Sequence, residues 1–278
     1  MDLNWMQSLV YGIVSGITEI LPVSAQAHRL LLRKIFGTDS VSGVTLLLIH
    51  IAILAAVYIC CQGQILRIVR AEKLRKLPKK KRKRPLDGVS ILDYRLFRTM
   101  ALPLIVAAVF MRKVIPYENN VVLVAVFLII NGIVLYIPQF FPGGNKDARM
   151  LTRVNGLLIG LGCAASALPG ISAIGMAFSV ALICGADRTY ALNMSLLLEM
   201  VLLIALIVMD IMGILTTGLM GVSFLFLLRS VFAAAVSFGT TILTVRFLRK
   251  LAAEMGFTVF AYYCWGIALL SLMLTMFA

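Results

Sequence analysis

The stretch from Gly12 to Leu32, GIVSGITEILPVSAQAHRLLL, constrains the fold more than any other. Its neighbourhood is strongly apolar, yet it carries Ser15, Thr18, Glu19, Ser24, Gln26 and His28. Pro22 has no amide hydrogen and disfavours helical geometry at Leu21, so no simple helix runs through it. Irregular backbone at membrane depth is tolerated only where protein covers it or where it lines a wet cavity. A glutamate and a histidine at that depth raise a functional-site hypothesis by default. A second stretch, Ala164 to Gly175 (AASALPGISAIG), repeats the device about half the chain later. Leu21-Pro22-Val23-Ser24-Ala25 and Leu168-Pro169-Gly170-Ile171-Ser172-Ala173 read as two copies of one break.

Membrane depth is the right frame because 61% of the 278 residues are hydrophobic and the mean hydropathy is +1.00. Soluble domains are usually about 45–50% apolar. Several runs reach the roughly 20 residues that cross a bilayer core. The expected class is an all-α polytopic membrane protein. No removable signal peptide is read at the N-terminus. The five cysteines (Cys60, Cys61, Cys163, Cys184, Cys264) lie in or beside apolar runs without metal-ligand spacing, and read as packing residues. The net charge of +14 is uneven: eleven of 26 Lys and Arg fall between Arg67 and Arg84. Between two spans, that run reads as a cytoplasmic loop obeying the positive-inside rule and able to rest on anionic lipid, rather than as a nucleic-acid site.

Along the chain, residues 1–38 suit a re-entrant pair of half-helices broken at Leu21-Pro22. Residues 43–66 form the first clear span, with His50 inside it as a packing residue. A short amphipathic stretch from Leu86 to Arg98 leads into a span over Met100–Val114, with Pro103 near its start. Pro116–Asn120 is a turn, and Val121–Ile137 returns. The second half repeats the order: a half-helix over Leu151–Ala167, a break at Leu168-Pro169-Gly170, and a returning half over Ser172–Cys184. Spans follow over Leu192–Leu215, Val222–Val245 and Phe257–Phe277. The basic residues place the two re-entrant pairs on opposite sides. The expectation is an inverted repeat (1–140 and 141–278) within one membrane domain, with about six full spans. Such folds place substrate near the midplane, with half-helix N-termini facing anionic groups. Pro169-Gly170 followed by Ser172 could present backbone amides to phosphate.

Metal-assisted phosphoryl chemistry needs a carboxylate for a divalent cation, a nucleophile or base, and positive charge at the developing oxyanion. Glu19, Ser24 and His28 supply some of the first two needs. Arg29, Arg188 and the metal itself are candidates for the third. Plainer roles stand beside these: Ser24 and Ser172 as helix caps, and His28 as a donor to a backbone carbonyl. Glu199 and Asp210 could pair with Arg188, Arg229 or hydroxyls, or stay protonated.

Gly16-Ile17-Thr18-Glu19-Ile20-Leu21-Pro22-Val23-Ser24 followed by His28 resembles the first motif of the undecaprenyl pyrophosphate phosphatase (bacitracin-resistance) family. Pro169-Gly170-Ile171-Ser172 resembles its second motif. Gly185-Ala186-Asp187-Arg188, with Ala191 and Ser195, is similar to the segment after it, and Phe260-Ala261-Tyr262-Tyr263 to its last span. The resemblance covers essentially the whole chain. It implies two re-entrant helix pairs and hydrolysis of undecaprenyl diphosphate to undecaprenyl phosphate and phosphate, which recycles the lipid carrier of the cell wall. A divalent cation, Mg or Ca, is implied as cofactor.

The motifs also depart from the family pattern. Ser15 stands where a second glutamate is usual, Ala25 replaces a serine, and Ser172-Ala173-Ile174 replaces Ser-Arg-Ser. The expected catalytic residues are Glu19, Ser24 and His28, with Glu19 also the metal ligand. Thr18, Gly170, Ser172 and Arg188 are the expected substrate contacts. The expected partners are a polyprenyl diphosphate lipid and a bacterial plasma membrane, without nucleic acid, and a homodimer is among the arrangements admitted. The alternative is a catalytically impaired homologue that binds or flips polyprenyl phosphates.

Overall fold

A computed structural model describes residues 3–38, 40–78, 87–114, 119–218, 223–254 and 257–277. Ten α-helices account for most of them: α1 (Trp5–Thr18), α2 (Ala25–Phe36), α3 (Gly43–Lys76), α4 (Gly88–Val114), α5 (Val121–Tyr136), α6 (Arg153–Ala164), α7 (Ala173–Ile183), α8 (Arg188–Thr217), α9 (Phe224–Glu254) and α10 (Thr258–Phe277). Among the described residues there is no strand, only an isolated bridge between Lys146 and Ala186. α3, α4, α8, α9 and the segment Val121–Phe140 containing α5 are long and apolar enough to cross a membrane. Their outward faces stay apolar, as at Val109, Leu215, Phe224 and Leu243. A lipid-facing surface requires this, because in hydrocarbon there is no water to satisfy polar groups. The chain is a multi-pass membrane protein.

Both breaks lie where the prolines put them. α1 ends at Thr18, and α2 starts at Ala25 behind Ser24. α6 passes through a 3₁₀ turn at Ala165–Ala167, and α7 starts at Ala173 behind Ser172. Each serine oxygen accepts a first-turn amide, Ala27 N–H at 3.4 Å and Gly175 N–H at 3.2 Å. These bonds satisfy donors that a helix start leaves unpaired.

Two expectations change. α3 does not stop at residue 66. It runs to Lys76, about 51 Å at 1.5 Å per residue, so the basic stretch from Arg67 to Lys76 is helix that outruns a bilayer core. Arg75 pairs with Glu72 at 2.8 Å one turn away, and Arg67 reaches Asp93 on α4 at 2.9 Å. The remainder of the basic run, residues 79–84, lies outside the described residues. Secondly, α4 takes in the amphipathic lead-in from Gly88, so Pro103 sits inside the helix rather than near its start. Of the about six spans expected, five are helical segments long and apolar enough to cross a membrane among the described residues. The last of the expected six, α10, is apolar over Thr258–Met273.

Small residues set the closest packing. A side-chain carbon on Gly16 would lie 2.5 Å from the Ser237 carbonyl of α9, and one on Gly12 would lie 2.6 Å from the Ala233 carbonyl. The Ser237 and Thr241 hydroxyls of α9 donate to the Gly12 and Gly16 carbonyls at 2.9 and 3.2 Å. Gly156 and Gly160 hold α6 against α4 in the same way, at Leu96 and Met100. Both pairs have the four-residue spacing that lets membrane helices approach closely.

Candidate functional site

The two breaks meet in the interior. The Asn131 side chain of α5, fully buried, donates to the Pro22 carbonyl at 3.1 Å and accepts the Ser172 amide at 2.9 Å. Gly175 packs on Pro22 so closely that a side-chain carbon would lie 2.9 Å from the proline ring. Gly170 turns the second break with φ +104°, a left-handed value that favours glycine. Its backbone leaves no room for a side chain against the Val124 carbonyl.

Beside this junction is a cleft of about 30 Å³, lined among others by Thr18, Glu19, Gln26, Arg29, Ser166, Ser172, Ala173 and Glu199. That volume holds about two waters. Glu19, at the end of α1, accepts a charge-assisted hydrogen bond from Arg29 Nη1 at 2.8 Å. The pair is largely buried, with side-chain exposures of 5% for Glu19 and 12% for Arg29. Thr18 Oγ1 donates back to the Val14 carbonyl at 2.8 Å. Ser172 and Ala173 bring the N-terminus of α7, with its unsatisfied first-turn amides, to the same wall. Glu199 of α8 is 2% exposed and interacts electrostatically with Glu19 and Arg29. Among the described residues, its Oε1 has no hydrogen-bond partner, and neither has Ser166 Oγ.

Of the residues singled out in the sequence, Thr18, Glu19 and Ser172 share this cleft, while Ser24, His28, Gly170 and Arg188 are not among its lining. Ser24 is buried and has φ +62°, the only non-glycine residue with positive φ among the described residues. His28 points Nδ1 at the Ser24 carbonyl and Nε2 at the Tyr263 hydroxyl, both at 2.8 Å. The His28 and Tyr263 rings also stack. Arg188 donates to the Glu254 carbonyl at 3.2 Å, at the end of α9. Asp210 pairs with His50 at 2.6 Å rather than with an arginine or a hydroxyl. Among the described residues, Glu199 Oε1 and Arg229 Nε are both buried without a hydrogen-bond partner.

Sequence reading missed Asn131 and Ser166 and left Glu199 without a site. Buried polar residues in apolar helices are the signal that could have found them, since such groups need partners.

Comparison with known proteins covers nearly the whole chain. The family described as Bacitracin resistance protein BacA matches residues 8–270. An undecaprenyl-diphosphatase of Methanobrevibacter smithii is 28% identical over 276 residues, covering 96% of each chain. Another, from Korarchaeum cryptofilum, is 30% identical over 278 residues, covering 96% of this chain and 98% of its own. A third, from Carboxydothermus hydrogenoformans, is 27% identical over 274 residues, covering 97% and 98%. With the paired breaks, the buried carboxylates and a match over almost its full length, this chain belongs to the bacitracin resistance protein BacA family.

Proposed function

We propose that this protein is an undecaprenyl-diphosphatase of the cell membrane. In this reading it hydrolyses undecaprenyl diphosphate to undecaprenyl phosphate and phosphate and so recycles the lipid carrier of cell-wall synthesis. One observation carries the reading: Glu19, Arg29 and the N-terminus of α7 share one buried cleft where the two breaks meet. A carboxylate, a guanidinium and helix amides are what phosphoryl transfer asks of a protein.

Arg29 binds oxygens of the terminal phosphate, for which its planar fork is suited. The first-turn amides of α7, at Ala173, face the same group. Arg29 therefore takes the part left vacant by alanine at position 173. Glu19 acts as general base on a water whose oxygen attacks the terminal phosphorus. The bond from that phosphorus to the bridging oxygen breaks, undecaprenyl phosphate leaves, and the proton stays on Glu19. Ser24 and His28 are positioning residues: Ser24 caps α2, and His28 ties that cap to Tyr263, so that Arg29 enters the cleft from a fixed helix start.

Among the described residues, no three His, Cys, Asp or Glu side chains gather as a metal cluster. A hard cation that keeps its waters and takes one or two carboxylates with substrate phosphate still fits the oxygen donors of the cleft. Glu19 is the residue that would hold Mg or Ca, which would neutralise charge on the diphosphate. The two breaks also support reading the halves as inverted repeats, because α1 packs on α9 as α6 packs on α4.

The test is phosphate release from undecaprenyl diphosphate by the purified protein in detergent with Mg²⁺, beside Glu19→Gln. Release lost in Glu19→Gln supports the reading. Lipid binding without release would instead assign a carrier.

A further inference from the structure

Glu199 is the one carboxylate of the cleft that the reading above leaves without a task. A buried carboxylate is stable only if it is paired, coordinates a cation or becomes neutral. Glu199 is 2% exposed, and its Oε1 has no hydrogen-bond partner among the described residues. Across the same cleft, Ser166 Oγ is also buried and without a partner. The two atoms come from different elements, α8 and the 3₁₀ turn before the second break. Among the described residues, Glu19 and Glu199 bring two carboxyl groups to the cleft beside the one guanidinium of Arg29.

We propose that Glu199, Glu19 and the Ser166 hydroxyl form a binding site for one hard divalent cation of the Mg²⁺, Mn²⁺ or Ca²⁺ class. The donors are all oxygen, as these ions require. The cleft, about 30 Å³, has room for an ion with a water beside its oxygen donors. A bound cation adds positive charge beside Arg29, so the cleft then favours a phosphate. Glu199 thus provides the second carboxylate from a helix distant in sequence from α1, and Glu19 is shared between the ion and Arg29. The use of the site in catalysis rests on the phosphatase reading; its existence does not.

The experiment titrates Mn²⁺ into the purified full-length protein in detergent, without lipid, and follows free Mn²⁺ by electron paramagnetic resonance. Thermal unfolding with Mn²⁺ and with EDTA accompanies it. The expected result is one saturable site whose affinity falls at least tenfold in Glu199→Gln and in Glu19→Gln, and less in Ser166→Ala. The Mn²⁺-dependent rise in unfolding temperature disappears in the same variants, whereas Glu199→Gln in EDTA unfolds at or above the wild-type temperature. Should Glu199→Gln not fold, Glu199→Asp keeps the charge one methylene shorter and must still weaken Mn²⁺. A wild type without a saturable site, or a Glu199 variant that binds Mn²⁺ as the wild type does, overturns the proposal. Phosphate release that persists in chelator and in Glu199→Gln, together with the absence of a saturable Mn²⁺ site, overturns it while leaving the phosphatase reading intact. Mn²⁺ binding that depends on Glu199, without release from undecaprenyl diphosphate, does the reverse.

Discussion

The backbone amide of Ser172 donates to the side-chain carbonyl of Asn131 at 2.9 Å, and the other end of that amide side chain holds the Pro22 carbonyl. One buried residue therefore closes both chain breaks onto each other. Replacing it with leucine strands an amide and a carbonyl, at roughly 1–3 kcal/mol each. Asn131→Leu is expected to lower the unfolding temperature in detergent and to reduce phosphate release, because the wall of the cleft loses its register. Asn131→Asp, which keeps the acceptor, is expected to fall between the two.

The glycines of α1 make a second prediction. At Gly16 an added methyl meets the Ser237 carbonyl at 2.5 Å, and this is backbone that cannot swing away. Gly16→Ala is expected to push α1 off α9, breaking the hydroxyl-to-carbonyl bonds from Ser237 and Thr241. At about 1 kcal/mol for each such bond, plus the lost packing, the variant should unfold at clearly lower temperature. Because Glu19 ends the same helix, activity should fall with stability. Gly63→Ala, where nothing lies within 4 Å of the added carbon, is the control expected to change neither.

His50 and Asp210 join α3 to α8 inside the apolar region, at 2.6 Å. Removing one member of a buried hydrogen-bonded pair leaves the other unsatisfied, at about 1–3 kcal/mol, whereas replacing both by apolar groups can be nearly neutral. Asp210→Leu alone is therefore expected to be more damaging than Asp210→Leu combined with His50→Phe. Thermal unfolding of the two single variants and the double variant measures this coupling directly.

Ser24 separates a positioning role from a chemical one. A serine held at φ +62° stores about 1–3 kcal/mol, which glycine at this position does not. Glycine also serves as a helix cap far better than alanine does. Ser24→Gly is expected to be at least as stable as Ser24→Ala by thermal unfolding and to retain phosphate release. If Ser24 were the nucleophile, both variants would be inactive.

Much of the fold was legible because prolines and polar residues interrupt apolar runs at Pro22 and Pro169, and the structure breaks there. The charged end of α3 was harder to read. A dense basic run looks like a loop, but the Glu72–Arg75 contact one turn apart lets the helix continue. Pro103 misled in the opposite sense, since a helix-breaking residue is tolerated within α4. At the site, Glu19 and Ser172 were legible from motif and spacing. The meeting of Arg29 with Glu199 was not, because only tertiary packing brings α2 and α8 to one cleft. His28 stood out as a titratable residue, yet its two ring nitrogens are taken by Ser24 and Tyr263.

The most direct test of the account compares two arginines. Arg29 shares the cleft with Glu19 and Ser172, whereas Arg188 binds a carbonyl at the end of α9. Initial rates of phosphate release from undecaprenyl diphosphate should be measured for the wild type, Arg29→Ala and Arg188→Ala. Loss of one donor to a developing oxyanion lowers rate by about 100-fold or more. That loss is expected in Arg29→Ala, with most of the rate kept in Arg188→Ala. A working Arg29→Ala beside an inactive, folded Arg188→Ala would contradict it.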